Sequence, residues 1–138
     1  MSSRNLEDLN QATMQRAIIH KQLCAAKGVE LLIYCTLRSN DEQTALYSIG
    51  RTKDGKIVTN ARAGESAHNP DEFGKAAAYD CCPMIAGKPM WDSNHRAWRI
   101  VGLCGEEAGL VWSGRWQGKL KEMAHFQDPY WKNQNEHT

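Results

Sequence analysis

Hydrophobic positions along the chain alternate between helix-like and strand-like spacing. Apolar side chains recur at helical intervals between residues 5 and 26, which predicts a first helix, and Gly28 supplies a stop signal after it. Residues 29–37, VELLIYCTL, are almost continuously hydrophobic. This run predicts a strand that is buried on both faces.

The middle of the chain contains a helix start followed by turn-rich sequence. Ser39 and Glu42 have the spacing of a capping box, which predicts a helix that runs to about Gly50. Residues 53–56 form a turn signal, residues 57–59 are a short β-prone piece, and residues 64–74 have the composition of a loop.

The last third alternates again between strand and helix patterns. Residues 76–82 fit a helix by propensity or a strand by context, and Pro83 is expected to end the element. Residues 94–104 predict a last helix and residues 110–112 a closing strand. The fold class predicted is α+β: a small single domain over residues 1–138, with a short antiparallel or mixed sheet flanked by helices and a polar tail from about residue 129.

Composition and charge exclude several kinds of partner. The 138-residue chain is 41% hydrophobic and has a net charge of +1, which provides no overall field for nucleic acid. The basic stretch 115–121 is interpreted as a solvated face. No apolar run approaches the roughly 20 residues of a membrane span, and the polar N-terminus lacks a secretory signal. We therefore expect a monomer that is made in the cytoplasm and does not insert into a membrane.

The five cysteines do not form a recognisable ligand or disulfide pattern. Their number is odd, no two have CxxC spacing, and the adjacent pair Cys81–Cys82 would point to opposite faces of a strand. We expect buried free thiols.

Two of the five histidines have a context that suits metal binding. His20, His95 and His137 are interpreted as surface or locally bonded side chains. His68 lies in a glycine-bounded loop, and His125 lies in an apolar segment three residues after Glu122. A catalytic zinc takes three ligands from His and Asp or Glu and leaves one position for water, whose proton a nearby carboxylate must accept. Glu122 suits the proton transfer, and Asp80 follows a run of small residues that would let it pack closely beside a metal ion. On spacing alone, however, an ordinary structural role explains each of these residues better than a metal site does.

Five ordered motifs resemble a known family. The segment RSNDEQTALYSIGRT (38–52) looks like RSxxEQxxLYxxGRT, GESAH (64–68) matches GxSxH, AYD (78–80) looks like AxD, WSGRW (112–116) resembles WGGxW, and EMAHF (122–126) resembles [DE]xxHF. These are motifs of the zinc peptidases that include VanY-type D-alanyl-D-alanine carboxypeptidases and phage L-alanyl-D-glutamate endopeptidases. The endolysin branch gives the better match.

The resemblance implies a role for each matching residue. His68, Asp80 and His125 are the implied ligands of one zinc ion at the sheet, and Glu122 is the implied general base and later acid. Arg38 is expected near the substrate carbonyl, with a structural ion pair as its alternative. Ser66 is expected to bond within its loop or to touch substrate, and Trp112 or Trp116 to border the substrate groove while most tryptophans pack in the core.

Two departures from the family pattern affect the implied site. Eleven residues separate His68 from Asp80, more than the family commonly has, so Asp71 is the competing ligand, although it lacks the AxD context. At the base, many relatives carry Asp where this chain carries Glu122.

The resemblance implies a peptidoglycan peptidase. We expect cleavage of the L-alanyl-D-glutamate bond of the stem peptide, in a lone catalytic domain that a holin pore releases toward a thin Gram-negative wall. The alternatives are a D-alanyl-D-alanine carboxypeptidase and a non-catalytic zinc-containing module that binds the cell wall. A metal-free structural protein would require other partners for the two histidines.

Overall fold

The computed structural model describes residues 2–117 and 122–131, and this part of the chain forms three α-helices and a five-stranded sheet. The elements are α1 (Gln11–Ala26), β1 (Glu30–Cys35), α2 (Asn40–Ser48), β2 (Ala78–Ile85), β3 (Lys88–Pro89), α3 (Arg96–Glu107), β4 (Val111–Trp112) and β5 (His125–Gln127). The strand order is β1–β2–β5–β4, β3 also pairs with β2, and the pairings of these strands are antiparallel. The predicted α+β class with an antiparallel sheet is confirmed.

The two faces of the sheet have different roles. Tyr79, Cys81 and Phe126 belong to the buried core, where α1 and α3 pack against each other and against the sheet. Because side chains alternate along a strand, Asp80 and His125 lie on the opposite face. α1 and α3 therefore support the sheet from one side and leave the other side for the polar residues of the site.

The first predicted helix is interrupted near its start. A 3₁₀ turn over Leu6–Asp8 precedes α1, and extended Leu9 between them forms a bridge with Ala76. Asn10 then caps α1 by accepting a hydrogen bond from the Thr13 N–H. The apolar spacing could not reveal this break, because an apolar residue at position 9 suits a buried position in a continuous helix as well as in the extended segment.

The strand predictions need two corrections. β1 is not buried on both faces, since Leu32 and Tyr34 are half-buried while Leu31 and Ile33 are buried. Of residues 76–82, residues 78–82 form a strand, but Pro83 does not end it. A proline lacks only the donor, and the Pro83 carbonyl still accepts a hydrogen bond from the Met90 N–H, so β2 continues to Ile85.

Several other predictions are settled by the described residues. The capping box of Ser39 and Glu42 is present at the start of α2, and residues 64–74 form a loop. The β-prone residues 57–59 pair with no strand in the described part and are largely exposed. All five cysteines are buried and free, as expected.

Membrane-spanning helices were sought among the described residues, and none is long and apolar enough. Parts of the predicted basic stretch and polar tail, residues 118–121 and 132–138, lie outside the described residues.

Candidate functional site

The register of the sheet brings Asp80 and His125 together. Asp80 in β2 pairs with His125 in β5 on one side and with Cys35 in β1 on the other. Residues directly opposite each other in an antiparallel pair share a face and lie close enough for their side chains to touch. The Nδ1 atom of His125 is 3.3 Å from Oδ1 of Asp80.

His68 reaches the same place from the long loop that precedes β2. Its backbone carbonyl accepts a hydrogen bond from the Arg38 N–H, and the carbonyl of Ala67 accepts one from the Ala77 N–H. The ring Nδ1 lies 2.7 Å from the Thr36 carbonyl, so Nδ1 carries a proton and donates it there. The loop is thereby fixed to the end of β1, and Nε2 of His68 faces the sheet.

Three donor atoms form a nearly equilateral triangle. Nε2 of His68 is 3.2 Å from Oδ1 of Asp80 and 3.2 Å from Nδ1 of His125, and the third side is the 3.3 Å contact between Asp80 and His125. Ligands about 2.0–2.1 Å from a tetrahedral zinc ion lie about 3.3 Å from one another. Two imidazoles and a carboxylate in this arrangement fit one face of a tetrahedral metal site.

Electrostatics at the triangle favour positive charge. Burial opposes a charge on His68, but its contacts with Asp80 and Cys35 outweigh that effect and raise the pKa of His68 to about 10. Burial likewise opposes a charge on Asp80, yet the close contacts with His125 and His68 hold the pKa of this carboxyl far below its usual range. A place that stabilises an imidazolium so strongly also suits a metal cation.

Glu122 lies beside the triangle on the exposed side. Its carboxylate, one oxygen of Asp80 and a ring nitrogen of His125 all lie within 4.8 Å of one another. Ser113 secures the backbone here, because its buried hydroxyl lies 2.5 Å from the Glu122 carbonyl and 3.0 Å from the His125 carbonyl. A carboxylate adjoining a possible metal site is placed to exchange protons with a bound water molecule.

Arg38 and Ser66 occupy different positions relative to the site. The Arg38 guanidinium is 4.0 Å from Oδ2 of Asp80 and donates a 3.2 Å hydrogen bond to Gln43. Arg38 therefore forms an ion pair with Asp80 and also lies beside the predicted metal ligands, so both of its expected roles remain open. Ser66 bonds within its loop, where its hydroxyl accepts from the His68 N–H, and it also borders the cleft.

An open cleft of about 730 Å³ lies over the donor atoms, and Trp116 but not Trp112 borders it. Trp116 is 36% exposed, with its ring centroid 5.7 Å from that of His125. Trp112 is 7% exposed, stacks on Phe126 and donates to the Met123 carbonyl. Of the two tryptophans expected at the groove, Trp116 has that position, whereas the Trp112 ring packs against Gly102 and Gly114, whose missing side chains leave room for it.

Asp71, the competing ligand, lies away from the triangle. Its carboxylate accepts hydrogen bonds from the N–H groups of Phe73 and Lys75 and closes the turn within the long loop. The extra residues are thus absorbed in a local turn, and Asp80 is the carboxylate that faces the histidines. Among the remaining histidines in the described part, His95 caps α3, and His20 is wholly buried and bonded to Tyr79 and Val101.

Two residues at the site, Cys35 and Gln127, were not predicted from the sequence. Cys35 lies 3.9 Å from Nδ1 of His68, and its thiol is close enough to His68 and Asp80 to form a second possible ligand group. Gln127 lies 2.7 Å from Nε2 of His125. Only the period-two spacing of Gln127 from His125 could have indicated its position, and Cys35 gave no signal without the strand register.

A protein of known activity is similar in sequence along most of the chain. No model of a known protein family matches the chain. The chain is 34% identical over 127 residues to the peptidoglycan L-alanyl-D-glutamate endopeptidase CwlK of Bacillus subtilis (strain 168), covering 87% of this chain and 73% of CwlK.

Two solved structures share the fold. The L-Ala D-Glu endopeptidase ChiX of Serratia marcescens has a TM-score of 0.64 at 20% identity, over 96% of this chain and 92% of that one. The LD-carboxypeptidase LdcB has a TM-score of 0.66 at 16% identity, over 94% and 64%. The sequence identity to CwlK over most of both chains, together with this shared fold, shows that the chain belongs to the VanY-like family of zinc peptidases.

Proposed function

We propose that the chain is a zinc-dependent peptidoglycan peptidase that hydrolyses the L-alanyl-D-glutamate bond of stem peptides. The observation that carries the proposal is the donor triangle of His68, Asp80 and His125 with the Glu122 carboxylate beside it, inside one open cleft. The identity to CwlK supports the choice of bond.

The donor set suits zinc better than the other common metals of proteins. Imidazole nitrogens and a carboxylate at tetrahedral spacing are typical of catalytic zinc, whereas calcium and magnesium prefer six or more oxygen ligands. When bound, zinc would lower the pKa of a water molecule to about 7 and polarise the scissile carbonyl.

The side chains around the triangle supply proton transfer, oxyanion stabilisation and substrate contact. Glu122 accepts the proton from the attacking water and returns it to the leaving amine, for which its exposed position beside the cleft gives access. Arg38 borders the cleft near Asp80, where its positive charge would stabilise the developing oxyanion. Trp116 would offer a flat apolar wall to the peptide stem.

The biological setting stays a proposal as well. We infer that the protein acts as a monomer on the wall of a bacterial host, released by a holin pore during phage lysis. CwlK is a bacterial protein, so a role in a bacterium's own cell wall is the alternative setting. Both settings predict cleavage of the same bond, so the cleavage products do not distinguish between them.

The test is digestion of purified sacculi, with mass spectrometry of the released fragments. Wild type is expected to produce fragments that begin with D-glutamate and to leave L-alanine on the glycan. His125→Ala should lose most bound zinc and most cleavage, because one donor of three is removed.

The alternatives predict other products. Release of a terminal D-alanine alone would replace the endopeptidase with a carboxypeptidase, a specificity that a fold shared with LdcB does not exclude. A wild-type protein that binds zinc and sacculi but releases no fragment would instead be a binding module.

A further inference from the structure

The His125 ring is held from the side opposite the donor triangle. Its Nε2 lies 2.7 Å from Oε1 of Gln127, two residues further along β5, so both side chains lie on the same face of the sheet. His125 is only 7% exposed, which restricts the ring's access to water. The Gln127 amide is thus the polar group that meets Nε2.

A neutral imidazole carries one proton, and an acceptor at one nitrogen keeps the proton there. Nε2 of His125 faces the Gln127 amide oxygen at 2.7 Å, and Nδ1 faces the Asp80 carboxylate at 3.3 Å, so the shorter contact favours the form with Nε2–H and a lone pair on Nδ1. Nδ1 is the atom that belongs to the triangle with His68 and Asp80.

The two histidines are oriented by the same principle through opposite nitrogens. His68 donates from Nδ1 to the Thr36 carbonyl and presents Nε2, whereas His125 is bonded at Nε2 and presents Nδ1. For His68 the acceptor is backbone, which a substitution cannot remove. For His125 it is a side chain, so the orientation can be tested by mutation.

We propose that Gln127 is a positioning residue, whose amide oxygen holds His125 in the Nε2–H tautomer and so presents Nδ1 to the metal. This inference rests on the proposed zinc peptidase function. Gln127 also borders the cleft.

The first readout is zinc affinity, measured by competition with a chromogenic chelator. Gln127→Met keeps the length of the side chain and removes the acceptor, and it is expected to weaken zinc binding about 10- to 100-fold. Gln127→Glu keeps an acceptor at Nε2 and should restore the affinity. Gln15→Met, on the exposed part of α1, is the matched control and should bind zinc as wild type does.

The second readout is the tautomer of His125, observed in the metal-free protein by ¹H–¹⁵N NMR of the imidazole rings. Wild type and Gln127→Glu should show the Nε2–H form, and Gln127→Met a mixture. Equal thermal stability of the variants would show that the fold is kept.

The outcomes separate this inference from the proposed function. If Gln127→Met binds zinc as tightly as wild type, or if His125 of wild type carries its proton on Nδ1, Gln127 does not have this role. If wild type itself binds no zinc, the proposed function fails, and the NMR spectrum still decides whether Gln127 sets the tautomer.

Discussion

At the scale of single residues, the site depends on which carboxylate completes the ligand set. Asp80 is fixed by strand register opposite His125, whereas the Asp71 carboxylate accepts hydrogen bonds from two backbone N–H groups of its own turn. The two aspartates therefore lie in separate places, Asp80 beside the two histidines and Asp71 within the turn of its loop.

Asparagine at each position tests this division. Asp80→Asn should lose zinc, because a neutral amide is a poor ligand and the two histidines alone hold the ion weakly. Asp71→Asn keeps the acceptor oxygen that both N–H groups need and should retain zinc and activity. Zinc per chain after dialysis measures both; retention in Asp80→Asn with loss in Asp71→Asn would reverse the assignment.

At the scale of elements, the β4–β5 connection contains Glu122 and leads directly to His125, the first residue of β5. Ser113 begins a 3₁₀ turn directly after β4, and its hydroxyl ties the Glu122 and His125 carbonyls together. In the WGGxW motif that residues 112–116 resemble, the second position is glycine, so the Ser113 hydroxyl is a feature of the present chain.

Removal of that hydroxyl should loosen the connection. Ser113→Ala leaves the buried His125 carbonyl without this donor, which should lower the free energy of unfolding by about 1–3 kcal/mol. We expect kcat to fall more than zinc affinity, since the position of Glu122 is disturbed while three ligands remain. Ser48→Ala is the control, because Ser48 makes a similar bond to the Ala45 carbonyl at the end of α2. Unchanged stability and kcat in Ser113→Ala would show that the hydroxyl holds nothing in place.

The elements also show what the sequence could predict. The capping box located the start of α2 because its signal is local, and ordered motifs located His68 and His125. Leu9 and Pro83 were misjudged because their structure is set by distant partners, the Ala76 bridge and the Met90 N–H. The choice between Trp112 and Trp116 stayed open because only the packing around Gly102 and Gly114 distinguishes a core indole from a groove indole.

At the scale of the whole molecule, one buried histidine joins the helices to the sheet. His20 in α1 is hydrogen bonded at 2.7 Å to the Tyr79 hydroxyl in β2 and at 2.8 Å to the Val101 carbonyl in α3. Burial disfavours its charged form and lowers the pKa of His20 to about 4, although the bond to Val101 acts in the opposite direction.

This low pKa predicts an acid-sensitive fold. Above pH 6.5 His20 is neutral in both states, but between pH 6.5 and about 4 the unfolded chain takes up a proton that the folded chain does not. Folding should therefore lose about 3 kcal/mol from this group as the pH falls through that range. Urea denaturation across the range should show a smaller loss in His20→Gln than in wild type; parallel curves would contradict the prediction.

The central claim is that Glu122 transfers protons beside a zinc ion held by His68, Asp80 and His125. Its most direct test is the rate of muropeptide cleavage per bound zinc, compared between wild type and Glu122→Gln. Because Glu122 is exposed and outside the donor triangle, the variant should keep one zinc per chain while the rate falls at least about 100-fold. A variant with full zinc that cleaves as fast as wild type would contradict the account.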